Sequence, residues 1–148
     1  MSDRGFENLD FYKDGLKLLK AAYRLAASLP DYERYNLTDQ LRRAVVSIGL
    51  NIAEGYGRYH YLDRLRFLYI ARGSLNETMS GFIIAEQLDY CDSTQLDWTR
   101  QLVIGIEKNL NGYCRSIRQQ QQGSEEFGVR HIAEERAAYT IPDDGMAE

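Results

Sequence analysis

Apolar residues recur at helical spacing along most of the chain, and no two-residue alternation competes with them. The clearest stretch is residues 38–58, TDQLRRAVVSIGLNIAEGYGR. On a helical wheel, Leu41, Val45, Ile48 and Ile52 fall on one stripe, flanked by Ala44 and Gly55. Gln40, Arg43, Ser47, Asn51, Glu54 and Arg58 form a second, polar stripe. Gly49, Ala53 and Gly57 form a third, with Val46 and Leu50 beside it. A lone surface helix needs only one apolar face and one solvated face. A face of small residues admits a second backbone, so the pattern predicts a helix buried on two sides, in a chain that works as an assembly.

Three further helices are predicted. The first covers residues 9–29, with Phe11, Leu18, Ala22, Leu25 and Leu29 on one side and Pro30 as its stop. After the loop DYERYN, Thr38 is the expected N-cap of the second helix. The third covers residues 62–88, with Leu65, Leu68, Leu75, Met79 and Phe82 on its main stripe and Ala71, Ser74, Thr78, Gly81 and Ala85 on a small one. The fourth starts at a Ser93 or Thr94 cap, with Leu96, Val103, Ile106, Leu110, Tyr113 and Ile117 along its seam. Long helices joined by short loops give antiparallel neighbours. The expected fold is all-α: an antiparallel up-down-up-down four-helix bundle over residues 9–120, after an N-terminal arm at 1–8. Residues 121–148 are expected to form a flexible acidic tail, in which Val129, Ile132 and Tyr139 offer a short partner-binding helix as the alternative.

Charge changes that picture once it is divided. Of the net −4, residues 123–148 contribute −5, with seven acids against Arg130 and Arg136, so the bundle itself is close to neutral at +1. A pI near 5.3 is far from that of a dedicated nucleic-acid domain. The charged N-terminus MSDRGFENLD lacks an apolar core and no long apolar run follows, so a cytoplasmic protein without a membrane span is expected. Cys91 in a turn and Cys114 well inside the fourth helix should stand about 30 Å apart along that helix, too far for a disulfide.

The string QLRRAVVSIGLNIAEGYGR, followed by Phe67-Leu68-Tyr69-Ile70-Ala71-Arg72-Gly73-Ser74-Leu75-Asn76-Glu77, closely resembles the 23S rRNA intervening-sequence protein family of four-helix bundles. A related branch comprises the accessory variability determinants of diversity-generating retroelements. Phe6-x-x-Leu9, Leu29-Pro30 and Tyr35-x-Leu37-Thr38-x-Gln40-Leu41-Arg42-Arg43 fit as well, whereas Asn36 and Gly49 depart from the family's usual Gly and Pro. The resemblance implies a homopentamer without enzyme activity that binds RNA or nucleoprotein; for the retroelement branch it implies a reverse transcriptase partner.

Residues 56–72, YGRYHYLDRLRFLYIAR, are the candidate nucleic-acid surface: Arg58, Arg64, Arg66 and Arg72 are interleaved with Tyr59, Tyr61 and other aromatics against the single acid Asp63. Guanidinium groups suit phosphates, and tyrosines stack on unpaired bases. The competing reading is that the arginines are consumed by internal pairs and the tyrosines by packing. If the second and third helices fold back around His60, Arg43 meets Glu77 and Glu54 meets Arg66 as structural ion pairs, Ser47 faces Gly73 and Asn51 faces Tyr69. The Gly49, Ala53 and Gly57 stripe is expected to be a close helix-packing surface within the protomer or a subunit interface. No P-loop, HExxH or Glu-x-x-His pattern occurs, so no catalytic residue, metal or cofactor is expected. The leading expectation is an RNA or ribonucleoprotein accessory factor, and the alternative is a protein-interaction scaffold that docks a reverse transcriptase or displays its tails.

Overall fold

Each apolar stripe in the sequence becomes the buried side of a helix. The computed structural model describes residues 5–125. A 3-10 turn at Gly5–Asn8 leads into α1 (Asp10–Ser28), and a second 3-10 turn at Asp31–Glu33 leads into α2 (Leu37–Gly57). α3 (Tyr61–Gln87) and α4 (Ser93–Gln120) follow. Among the described residues there are four α-helices and no strand, consistent with a four-helix bundle. Val129, Ile132 and Tyr139 lie outside the described residues.

The helix ends have local causes. Pro30 pushes Leu29 into extended backbone (ψ 150°), which terminates α1. Thr38 does not cap α2; it is buried inside the first turn, and the cap position falls on Asn36. The buried Glu33 carboxylate supplies the acceptor instead, taking the Leu37 N–H at 3.3 Å. A carboxylate there also faces the positive end of the helix dipole. α4 is capped by Asp92, whose carboxylate accepts the Gln95 N–H at 2.8 Å, rather than by Ser93 or Thr94. His60 caps α3 by accepting the Leu62 N–H on Nδ1 at 3.2 Å.

α3 is enclosed by α2 on one side and α4 on another, and Leu68, Leu75 and Phe82 are wholly buried between them. Leu41, Val45, Ile48 and Ile52 of α2 are buried as their stripe predicts. α2 and α3 approach closely at a glycine on each helix. A Cβ on Gly81 would lie 2.5 Å from Leu41 Cδ2, and one on Gly55 would lie 3.0 Å from the Arg64 carbonyl oxygen. Between these points Ser47 faces Ser74, one position beyond Gly73, with hydroxyl oxygens 2.8 Å apart.

That seam relocates the expected ion pairs. Arg43 pairs with Asp39 at 3.0 Å and Glu54 with Arg58 at 2.6 Å, each within α2, rather than with Glu77 and Arg66 across to α3. The small residues occupy the line of contact, which leaves the charged stripe beside it in solvent, where a partner one turn away is nearer. Asn51 likewise turns back on its own helix, donating to the Ser47 carbonyl at 2.8 Å instead of meeting Tyr69. Exposed pairs of this kind contribute only about 0.2–1 kcal/mol each. Both cysteines are free thiols, and no helix among the described residues is long and apolar enough to cross a membrane.

Candidate nucleic-acid interface

The α2–α3 junction gathers the candidate residues and divides them. Arg58 leaves the end of α2 in extended backbone, so Tyr59 and His60 turn the chain into α3. The Arg58 guanidinium lies 4.8 Å from the centroid of Phe67, and that of Arg66 lies 5.7 Å from the same ring. Arg58 and Arg66 are both exposed, and Tyr59 beside them is 50% exposed. Two cations against one aromatic ring, with a tyrosine adjacent, can meet phosphates and stack a base together.

The other candidates lie mostly in the α3–α4 seam. Arg64 is half-buried; it donates to the Tyr113 hydroxyl at 2.9 Å and rests over the rings of Tyr56 and Tyr113. Arg72 donates to Asn111 Oδ1 at 3.0 Å and stacks on Tyr69. Arg118 donates to the Tyr69 hydroxyl through Nε at 2.9 Å and through a second guanidinium nitrogen, so Tyr69 engages two arginines. Tyr61 is buried at 5% exposure and stacks against His60, which removes it from the candidate surface: the first turn of α3 points it into the core. The sequence spacing thus brings Arg58, itself paired with Glu54, together with Tyr59 and Arg66 outside, and places Arg64 and Arg72 in contacts between α3 and α4. Phe67, Tyr113, Asn111 and Arg118 join the site through partners brought in from α4 or from the end of α2, which local sequence spacing does not report.

The Gly49, Ala53 and Gly57 stripe does not make the close contact inside the protomer. A Cβ on Gly49 would meet the Tyr12 ring at an ordinary contact distance of 3.6 Å, and one on Gly57 would meet nothing within 4 Å. The stripe borders an open groove of about 260 Å³ between α1 and α2, lined by Tyr12, Leu16, Leu19, Val46, Gly49 and Ala53. Leu50 stands at its edge 65% exposed, and Leu16 is 40% exposed. Glu77 faces a separate cavity of about 300 Å³ near the start of α2, with Gln40 and Ser80.

Burial also governs the cysteines. It pushes the Cys114 thiol up to about 11, with Arg118, Arg72 and Arg115 acting in the opposite sense, and it raises Cys91 as well. Neither is an activated nucleophile. No group of side chains suited to a metal ion occurs among the described residues.

The four helices place the chain among the all-α four-helix proteins. It belongs to the 23S rRNA-intervening sequence protein family, whose pattern matches residues 7–112. Among solved structures it is similar to a protein of unknown function from the S23 ribosomal protein family of Bacteroides thetaiotaomicron. Identity is 22%, the TM-score is 0.64, and the match covers 70% of this chain and 97% of the other, which carries the fold. No curated protein matches significantly.

Proposed function

We propose that the chain is a non-catalytic, cytoplasmic accessory factor that assembles as a homopentamer of up-down-up-down bundles and binds RNA, free or within a ribonucleoprotein. The observation that carries this reading is the pair of exposed guanidinium groups, Arg58 and Arg66, that both approach the Phe67 ring, with Tyr59 adjoining. The family's name, which refers to a sequence within 23S rRNA, supports RNA as the partner class. The exposed Leu50 and Leu16 beside a stripe without bulk support assembly, since a second helix can approach there closely. Repeating a modest site around a ring raises avidity without any new contact, which suits a nearly neutral bundle.

Ultraviolet crosslinking of the full chain to a single-stranded RNA oligonucleotide tests the reading. An adduct on the peptide that carries Tyr59 is expected, and it should weaken steeply as salt is raised. Absence of binding at low salt, together with salt-tolerant capture of a protein partner, would replace the reading with an interaction scaffold such as a reverse transcriptase accessory subunit.

A further inference from the structure

We infer that the Arg58–Arg66 surface is also a docking site for the chain's own acidic C-terminal segment, which competes there with RNA; the regulatory consequence rests on the RNA reading above, whereas the contact itself does not. The first observation is where α4 delivers the chain. Gln121 and Gly123 take left-handed backbone, with φ of 48° and 84°, and turn the chain back against the α2–α3 junction. The Gln122 carbonyl accepts the Tyr61 N–H at 3.0 Å. A Cβ on Gly123 would lie 3.2 Å from both Tyr59 Cε1 and His60 Cδ2, so position 123 requires glycine for its backbone and for its room. The chain therefore leaves the bundle in contact with the residue next to Arg58.

The second observation is charge. Glu125 and Glu126 follow within three residues of Gly123, Glu134 and Glu135 come next, and the segment 123–148 is net −5. Two residues reach at most about 7 Å, so Glu125 lies at this end of the bundle. The bundle is itself polarised in the complementary sense. At the junction Arg58, Arg64, Arg66 and Arg72 stand against Glu54, which pairs with Arg58, and Asp63, a net excess of two positive charges, while the second half of α3 and the following turn carry Glu77, Glu86, Asp89 and Asp92 without a base. The acidic segment thus emerges at the basic pole, where covalent attachment gives it a high effective concentration. In a ring, the segment of one protomer can serve the junction of its neighbour on the same terms.

Arginine modification by phenylglyoxal, read residue by residue by mass spectrometry, tests this in the full-length protein. The comparison chain carries Glu125→Gln, Glu126→Gln, Glu134→Gln, Glu135→Gln, Asp143→Asn and Asp144→Asn, all outside the bundle. Modification of Arg58 and Arg66 should be several-fold slower in the natural chain at low salt. The two chains should converge at about 1 M salt, where the screening length is about 3 Å. Arg34 and Arg100, away from the junction, should react equally in both. Equal rates at Arg58 and Arg66 would overturn the docking. In parallel, the neutralised chain should bind a single-stranded RNA oligonucleotide several-fold more tightly. Protection without RNA binding by either chain would keep the docked segment and discard the RNA reading. Protection together with unchanged RNA affinity would overturn the competition.

Discussion

Ser47 on α2 and Ser74 on α3 meet across the seam with their hydroxyl oxygens 2.8 Å apart, and they connect a chain of polar contacts through the two helices. Asn51 Nδ2 donates to Ser47 Oγ at 2.9 Å, and Thr78 Oγ1 donates to the Ser74 carbonyl at 2.8 Å. Ser74 is buried, so the pair fixes the helix register where two apolar residues would leave it free to slide. Ser74→Ala is expected to cost about 1 kcal/mol in denaturant unfolding while keeping the helix content. Ser74→Leu should cost several times more, because the seam has no room for it; equal stability of the two variants would contradict this packing.

Gly55 and Gly57 are two residues apart and should respond oppositely to an added methyl group. At Gly55 the methyl meets the Arg64 carbonyl and Phe67 Cβ, neither of which a rotamer change moves, so Gly55→Ala should lose about 1–3 kcal/mol despite its better helix propensity. At Gly57 the methyl enters open space, so the protomer should gain up to about 1 kcal/mol. Light scattering on Gly57→Leu and Leu50→Asp then reports assembly alone. Both variants should dissociate the oligomer while remaining folded, and an unchanged mass for both would place the subunit contact elsewhere.

Stability should separate the internal arginines from the outer ones. Arg72→Ala removes a charged donor from the buried Asn111 and is expected to cost about 1.5–3 kcal/mol. Arg66→Ala, at an exposed position, should stay within about 0.5 kcal/mol of the natural protein. Thermal melts of the two variants check this, and a reversed order would mean that the outward and inward roles have been exchanged.

The thiols give a pH signature. In the folded chain Cys114 titrates at about 11 instead of its ordinary 9.0, so the native state holds this proton more tightly than the unfolded chain does. The sign follows: this contribution is fully present below pH 9 and is lost as the pH rises towards 11, amounting to about 3 kcal/mol over that window. Denaturant midpoints should fall across the window, and fall less in Cys114→Ala. At pH 8, iodoacetamide should label half-buried Cys91 and leave Cys114 untouched unless the chain unfolds.

The fold was legible because its signals are local. The stripe Leu41, Val45, Ile48, Ile52 and the stop at Pro30 each lie within one helix, and helical periodicity and proline chemistry report them directly. The cap of α2 is less legible because a residue outside the helix intervenes: Glu33, three residues before Asn36, does the work expected of Thr38. The site was legible only in outline. The cluster of arginines and tyrosines after Gly57 was visible in the sequence. Which of them face solvent depends on α4, since Tyr113 and Asn111 engage Arg64 and Arg72 from about forty to fifty positions away. No spacing rule reaches that far. The ion pairs failed for a related reason: a register displaced by one residue, together with glycines on the contact line, left Arg43 and Glu54 nearer to partners on their own helix.

The most direct measurement is the salt dependence of binding to a single-stranded RNA oligonucleotide, compared between the natural chain and Arg58→Ala/Arg66→Ala. If these two guanidinium groups carry the phosphates, the log–log slope should become shallower by about 1.4 per bound site, with assembly unchanged and stability lower by about 1 kcal/mol at most, the cost of the Glu54–Arg58 pair. An identical affinity and an identical slope in the double variant would contradict the assignment of this surface.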